Sequence, residues 1–312
     1  MMDKIINIVS VSSGKDSTAT MLLALEKHDA KNCRFVFADT GNEHEEVYLY
    51  LDYLENRLNI KIDRLKADFT QQIKNKRMFI ARDQRIKRKN GKKIRWSNKR
   101  KREALELLKP TGNPYLDLCL WKGRFPSRRA QFCTQYLKTE LLNRYINEFI
   151  DNDFVVISWQ GIRRDESANR ANVLQLEIVD EYFWQYRPIA DWTAEKVFDY
   201  IKTKNVKPNP LYKMGMNRVG CMPCINARKE EIREISVRFP EEINRIASWE
   251  KIVKIVSKRN GATFFANTTK NPLDLFDIHE KVKWSKTKHG GKEPLIFDEE
   301  SIVCKSSYGL CE

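Results

Sequence analysis

Two groups of residues in this chain have the types and spacing to do chemistry. The first is the run Val9-Ser10-Val11-Ser12-Ser13-Gly14-Lys15-Asp16-Ser17-Thr18. An apolar stretch over residues 5–11 precedes it and residues 18–25 read as helix, which gives a strand, a loop and a helix in order. Loop amides and a helix N-terminus then point at one spot, where the macrodipole favours an anion. Gly14 admits a close backbone approach, Lys15 supplies a cation, and the hydroxyls of Ser12, Ser13 and Ser17 can donate to phosphate oxygens. The ATPase loop with Lys-Ser/Thr is excluded, because Asp16 follows the lysine. The second group is Cys221-x-x-Cys224, a spacing that points two thiolates at one ion, with Gly220 and Pro223 suited to the turn. Cys119 and Cys133 could complete a set of four. Four thiolates take either a tetrahedral Zn²⁺ or an iron–sulfur cluster, and spacing does not separate them.

Around these residues the first half of the chain alternates strands and helices. Strands are expected over 5–11, 34–38, 60–65 and 154–159, and helices over 17–27, 45–58 and 137–150. That order predicts an α/β fold, a Rossmann-like parallel sheet with helices on both faces, whose ligands bind beyond the carboxyl ends of the strands. Past Trp192 the pattern turns helical, over 193–204, 226–238 and 241–257. The expected domains are residues 1–225, with a basic insertion at about 74–103, and a helical C-terminal region 226–312 with a cysteine-containing tail.

The insertion stands out by charge. Between Lys74 and Arg102 there are fifteen Lys or Arg against one acid, Asp83, with Phe79 and Trp96 among them and Asn90-Gly91 as a turn. Clustered cations bind phosphate and a Trp can stack on a base, so this arm is expected to bind nucleic acid, DNA or tRNA. A solvated helical hairpin is the plainer alternative. The formal charge of the whole 312-residue chain, +15, agrees with polyanionic partners. No window approaches the roughly 18 apolar residues of a membrane span, and the N-terminus lacks a signal-peptide pattern, so a cytoplasmic protein is expected. Seven cysteines in such a chain suit metal ligands or catalytic thiols better than disulfides.

Four separated segments carry a family resemblance. Ser12 to Ser17 resembles the PP-loop, Ser-Gly-Gly-Lys-Asp-Ser, of enzymes that split ATP between the α and β phosphates, with Ser13 in place of the first glycine. The others are Phe37-Ala38-Asp39-Thr40-Gly41-Asn42-Glu43, then Trp159-Gln160-Gly161-Ile162-Arg163-Arg164-Asp165-Glu166-Ser167 with Arg170. Last comes Asn209-Pro210-Leu211-Tyr212 leading into Arg218-Val219-Gly220-Cys221-Met222-Pro223-Cys224. Together, over about residues 5–235 without the insertion, they resemble the phosphoadenosine-phosphosulfate (PAPS) reductase family of the adenine-nucleotide α-hydrolase-like fold.

The resemblance implies that Ser12, Ser13, Gly14, Lys15, Asp16 and Ser17 cradle the phosphates of ATP or PAPS. Asp39 and Thr40 would line the pocket with Gly161, and Arg163, Arg164 and Arg170 would face phosphate or sulfate. Asp16 and Asp39 could hold Mg²⁺. For Cys119, Cys133, Cys221 and Cys224 it favours a [4Fe–4S] cluster over Zn²⁺, although the reductases use an adjacent cysteine pair where this chain has Cys133 alone. Cys304 and Cys311 stand where those enzymes carry a nucleophilic cysteine, here with Gly309-Leu310 before Cys311 and no histidine after it. Lys15, Asp16, Arg163 and Cys311 are therefore the expected catalytic residues of a sulfur-transfer enzyme or sulfonucleotide reductase. A sulfur-donor protein and a second copy of the chain are further candidate partners. The alternative is a non-catalytic regulator or DNA-binding adaptor that has kept the nucleotide fold and a structural metal site.

Overall fold

The computed structural model describes residues 4–89, 92–265 and 276–288. The chain opens with β1 (Lys4–Val11), α1 (Lys15–Lys27), β2 (Cys33–Asp39), α2 (Glu45–Leu58) and β3 (Ile62–Lys66). α3 (Thr70–Arg82), the short strands β4 (Lys87–Lys89) and β5 (Lys92–Ile94), α4 (Asn98–Leu107) and α5 (Pro114–Lys122) follow. A short turn α6 (Phe132–Thr134) continues through a π-helical turn, Gln135–Thr139, into α7 (Glu140–Ile150) and then β6 (Phe154–Trp159). β7 (Leu176–Ile178), β8 (Phe183–Tyr186), α8 (Ala194–Thr203), α9 (Lys229–Arg238), α10 (Pro240–Val256) and α11 (Ile278–Ser285) complete the described elements.

Six strands form one sheet in the order β3-β2-β1-β6-β8-β7, parallel throughout except for the antiparallel edge strand β7. The α/β expectation holds. Alternation along β1 explains why both faces are covered. Ile6 and Ile8 join Val36, Val156 and Ile146 on the face of α7, while Val9 and Val11 join the larger core with Phe35, Phe37 and Met21 of α1. The chain runs outward from β1 to β2 and β3, then returns to the other side of β1 as β6. The topological switch point therefore lies at the carboxyl ends of β1 and β6, where such sheets open a crevice.

The C-terminal helices share the main hydrophobic core. Tyr115 of α5 stacks on Trp249 of α10 with centroids 5.7 Å apart, and Phe264 lies against both Tyr115 and Phe125. The buried Glu250 carboxylate ties this layer by accepting the amides of Phe264 (2.7 Å) and Ile278 (3.0 Å).

The basic insertion is a helix, a β-hairpin and a second helix, not a helical hairpin; its Asn90-Gly91 turn lies outside the described residues. Trp96 is only 8% exposed with the Arg100 guanidinium over its ring, so it is packed away and is no platform for a base. Phe79, 43% exposed, is the open ring. Several of the cations serve structure. Arg77 caps the carbonyls of Leu105 and Leu108, and Arg100 donates to those of Ser257 and Lys258.

Candidate functional site

At the switch point a cavity of about 910 Å³ opens. The loop after β1 forms its floor. Gly14 caps α1, and the Ser17 hydroxyl knots the turn: it accepts from Ser12 N (3.0 Å) and Ser12 Oγ (3.1 Å) and donates to Gly14 O (3.0 Å). Lys15 donates its amide to the Tyr212 hydroxyl at 2.9 Å, which ties the loop to a residue 197 positions away. Gly161, after β6, sits directly on this turn. A Cβ there would lie 2.8 Å from Asp16 C, Asp16 O and Ser17 N, so only glycine lets the two strand ends close.

Ser13 adopts φ 57°, the left-handed conformation that glycine takes freely and other residues at a cost of about 1–2 kcal/mol. Its hydroxyl is fully buried and has no hydrogen-bond partner. The serine therefore follows the backbone path that a glycine would take, with strain and an unused hydroxyl added.

Cations dominate the walls. Arg163, almost wholly buried, donates Nε to Asp16 at 2.6 Å and pairs with Asp165, while the other Asp16 oxygen meets Lys15 Nζ at 3.0 Å. Arg170, paired with Glu166, lines the cavity with Arg218, Arg228 and Lys138. Such a surplus of forked and point cations suits a phosphate chain.

The cysteine pair, Cys221 and Cys224, belongs to the same lining. Their loop is strapped to the turn after β2: Met222 N donates to Asn42 O (2.7 Å), Asn42 Nδ2 to Pro223 O (3.0 Å), and Arg245 Nη2 to Met222 O (2.7 Å). Glu43 binds this corner together. Its carboxylate accepts from Thr40 N (3.1 Å), Thr40 Oγ1 (2.7 Å) and Asn42 N (3.2 Å), with the Cys221 thiol 3.6 Å away.

Cys119, on α5, and Cys133, on α6, enter the same neighbourhood. Tyr115 precedes Cys119 by one helical turn, and its buried hydroxyl has no hydrogen-bond partner. Burial first, and then Cys119, Cys133, Cys221 and Cys224 in turn, hold that phenol well above its ordinary pKa. Burial likewise raises Cys119 and Cys133, and burial together with Glu43 pushes the Cys221 thiol up to about 12. Burial opposes the charge on Lys138, but Cys221, Glu43, Cys224 and Cys133 outweigh it and raise its pKa. Lys138 is thus a cation placed to offset thiolates. Among the described residues no three His, Cys, Asp or Glu side chains converge as a ready-made ion site. The four thiols thus share one neighbourhood with the unpartnered Tyr115 hydroxyl and the Lys138 cation, without converging on a single ion position.

Comparison with known proteins agrees with this geometry. Residues 6–227 match the phosphoadenosine phosphosulfate reductase domain. The chain belongs to this family. An uncharacterised 37.8 kDa protein of Escherichia phage 186 is 44% identical over 98% of this chain and 97% of its own length. The phosphoadenosine 5'-phosphosulfate reductase of Buchnera aphidicola is 26% identical over 68% of each chain. The crystal structure of PAPS reductase from Candida auris, in its phosphate complex, overlaps at TM-score 0.41 and 14% identity, covering 70% of this chain and 82% of that one. That last likeness is too distant to bear on function.

Within this PAPS-reductase-family chain the structure sorts the expected site residues. Ser12, Gly14, Lys15, Asp16, Ser17, Gly161, Arg163 and Arg170 meet at the cavity, with Cys221 and Cys224. Ser13 turns its hydroxyl inward, away from any partner. Arg164 faces elsewhere, donating to Val173 O at 3.0 Å and pairing with Asp191. Asp39 and Thr40 stand behind the wall. The Asp39 carboxylate is taken by Gly41 N (2.9 Å), the Tyr48 hydroxyl (2.8 Å) and Lys66 Nζ (3.1 Å), and Thr40 is spent on Glu43 and Cys221. Asp16 and Asp39 therefore do not fit a shared Mg²⁺ site, since each is already neutralised by cations or donors. Cys304 and Cys311 lie outside the described residues.

Among the cavity residues that went unread in the sequence are Glu43, Lys138, Tyr212, Arg218 and Arg228. Glu43, Arg218 and Tyr212 stood inside the quoted motifs without a role. Lys138 gave one signal only, its position five residues after Cys133. No helix among the described residues is long and apolar enough to cross a membrane.

Proposed function

We propose that this chain is an adenine-nucleotide-dependent sulfur-transfer enzyme that splits ATP between the α and β phosphates and acts on nucleic acid. One observation carries the reading: the phosphate-type loop and the Cys221–Cys224 pair line the same cavity. A nucleotide with its phosphates on residues 12–17 and on Arg163 and Arg170 would bring its reactive end within reach of the cysteine wall. An oxygen of the acceptor attacks the α-phosphorus, pyrophosphate leaves, and sulfur then displaces AMP from the adenylated acceptor. Lys15 and the arginines offset charge on the departing phosphates, and the loop amides orient them. Cys119, Cys133, Cys221 and Cys224 would hold a [4Fe–4S] cluster, which, when bound, supplies a site for sulfur or electron chemistry beside the nucleotide. The charge of +15 and the cationic arm support a polynucleotide acceptor.

A second reading is favoured by the name of the Buchnera relative: PAPS occupies the same cradle and a thiolate takes its sulfonate. The experiment that separates them incubates anaerobically purified protein with Mg-ATP, with and without tRNA or single-stranded DNA, and in parallel with PAPS and dithiol. Pyrophosphate and AMP that rise with nucleic acid support the first reading. Release of sulfite from PAPS with no ATP turnover supports the second. Turnover of neither nucleotide would leave a binding protein and end both.

A further inference from the structure

Cations and aromatic rings outside the cavity form a band that leads towards it. It starts on the insertion, where Arg85 and Lys76 lie over the exposed ring of Phe79 at 4.5 and 5.7 Å. A methyl placed on Gly123 would stand 3.9 Å from Lys76 Nζ, so the band passes directly to the end of α5. There Lys122 lies over the half-buried rings of Trp121 and Tyr136 at 3.7 and 4.0 Å, and Arg124 lies 5.3 Å over Phe132, a buried ring that seats the arginine and offers no face to a base. Arg128 then donates to the carbonyl of Ala227 at 3.4 Å, next to Arg228 in the cavity wall.

Like charge accumulates along this line. Burial, with Arg85, Lys122 and Lys258 nearby, holds the Lys76 ammonium below its ordinary value against the pull of Asp83. Burial and the charges of Arg128 and Lys229 do the same to Lys281. Asp83 pairs with Arg85 and Lys258, but Lys76, Lys122, Arg124 and Arg128 have no ion pair with a carboxylate among the described residues. Gathering cations without counter-charges costs stability, and a polyanion would relieve it. Rings alternating with cations match the bases and phosphates of an unpaired strand.

We propose that this band is the docking track of a single-stranded nucleic acid, laid from Phe79 across the end of α5 to Arg128 and delivering one nucleotide to the mouth of the cavity. This rests on the reading of nucleic acid as acceptor, and it moves the contact from the buried Trp96 to residues largely outside the insertion.

The test uses a fluorescein-labelled 20-nucleotide single-stranded DNA and anisotropy as a function of salt, with ATP affinity measured by calorimetry in parallel. Arg124→Glu/Arg128→Glu should weaken DNA binding at least tenfold and reduce the salt slope by about 1.4, roughly 0.7 per lost phosphate contact. Phe79→Ala should weaken it about fivefold or more with the salt slope unchanged, as loss of a stacking platform does. ATP affinity should stay at the wild-type value in both. Lys31→Glu/Lys61→Glu makes the same change in net charge before β2 and β3, at the opposite end of the sheet, and should leave DNA binding within about twofold of wild type. Equal weakening by that control, wild-type binding by the track variants, or an unlabelled duplex that competes as well as the single strand would overturn the track. Failure of ATP to bind while the strand binds as described would sink the enzymatic reading and leave the track standing.

Discussion

The phosphate cradle and the Cys221–Cys224 loop line one cavity, but the cradle and the cysteine cluster are assembled in opposite ways. The cradle is nearly contiguous: residues 12–17 fold on themselves through Ser12, Gly14 and Ser17, and the distant Gly161 and Tyr212 hold the turn in place. The cysteine cluster is drawn from α5, α6 and the loop of Cys221–Cys224, of which the loop alone lines the cavity, and that loop depends on straps such as Asn42–Pro223 and Arg245–Met222. Burial holds the Cys119 and Cys221 thiols above their ordinary range. A site made of adjacent residues keeps its geometry through local hydrogen bonds. One gathered from separate elements is only as well placed as the packing behind it.

The largest expected effect comes from breaking the contact that seats the cradle. Gly161→Ala drives a methyl into the backbone of Asp16 and Ser17, and should abolish ATP binding and lower stability by about 1–3 kcal/mol. Calorimetric titration with ATP and a thermal melt read both. If ATP still binds normally, the junction of β1 and β6 is not what holds the loop.

Cys119→Ser probes the cysteine cluster. Iron and sulfide in anaerobically reconstituted protein should fall to background, while ATP affinity stays unchanged; Cys33→Ser, at the far end of β2, should keep its iron. Full iron content in the Cys119 variant would remove that residue from the ligand set.

The packing behind the cysteine cluster should respond to pH through Glu250. Burial pushes this carboxyl up to about 7 from an ordinary 4.5. Between those values the folded state keeps a proton that the unfolded state has released. Stability should therefore fall as pH rises through this window and level off above it. Glu250→Gln should flatten that slope in melts between pH 4.5 and 8. An unchanged slope would assign the pH dependence to other groups.

The smallest effect sharpens the reading of the cradle. Ser13→Gly removes the left-handed strain and the orphaned hydroxyl, and should raise stability by about 1 kcal/mol, or about 2 °C in Tm. ATP affinity should not fall. A marked loss of affinity would show that the serine hydroxyl serves the ligand after all.

The sequence made the cradle readable and left half of the cluster obscure, for physical reasons. Hydrophobic alternation and the Gly14-Lys15-Asp16 turn are local, so β1, α1, β2, α2 and β6 emerged close to their observed bounds. The short strands β7 and β8 did not, because no turn signal or clean alternation marks residues 176–186. Asp39 followed the family motif into the pocket, yet Tyr48 and Lys66, on neighbouring elements, claimed its carboxylate. Trp96 read as exposed because charged residues surround it, whereas α4 and Arg100 cover it. Lys138 could be found only once the π-helical turn after Cys133 had placed it among the thiols.

The central claim is that nucleotide and cysteines share one cavity. It is tested most directly by the rate at which Cys224 is alkylated in chelator-treated protein, followed by mass spectrometry with and without a non-hydrolysable ATP analogue. Protection of Cys224 that saturates with the same affinity as calorimetric binding is the expected result. An analogue that binds while Cys224 reacts at an unchanged rate would place the nucleotide elsewhere and contradict the claim.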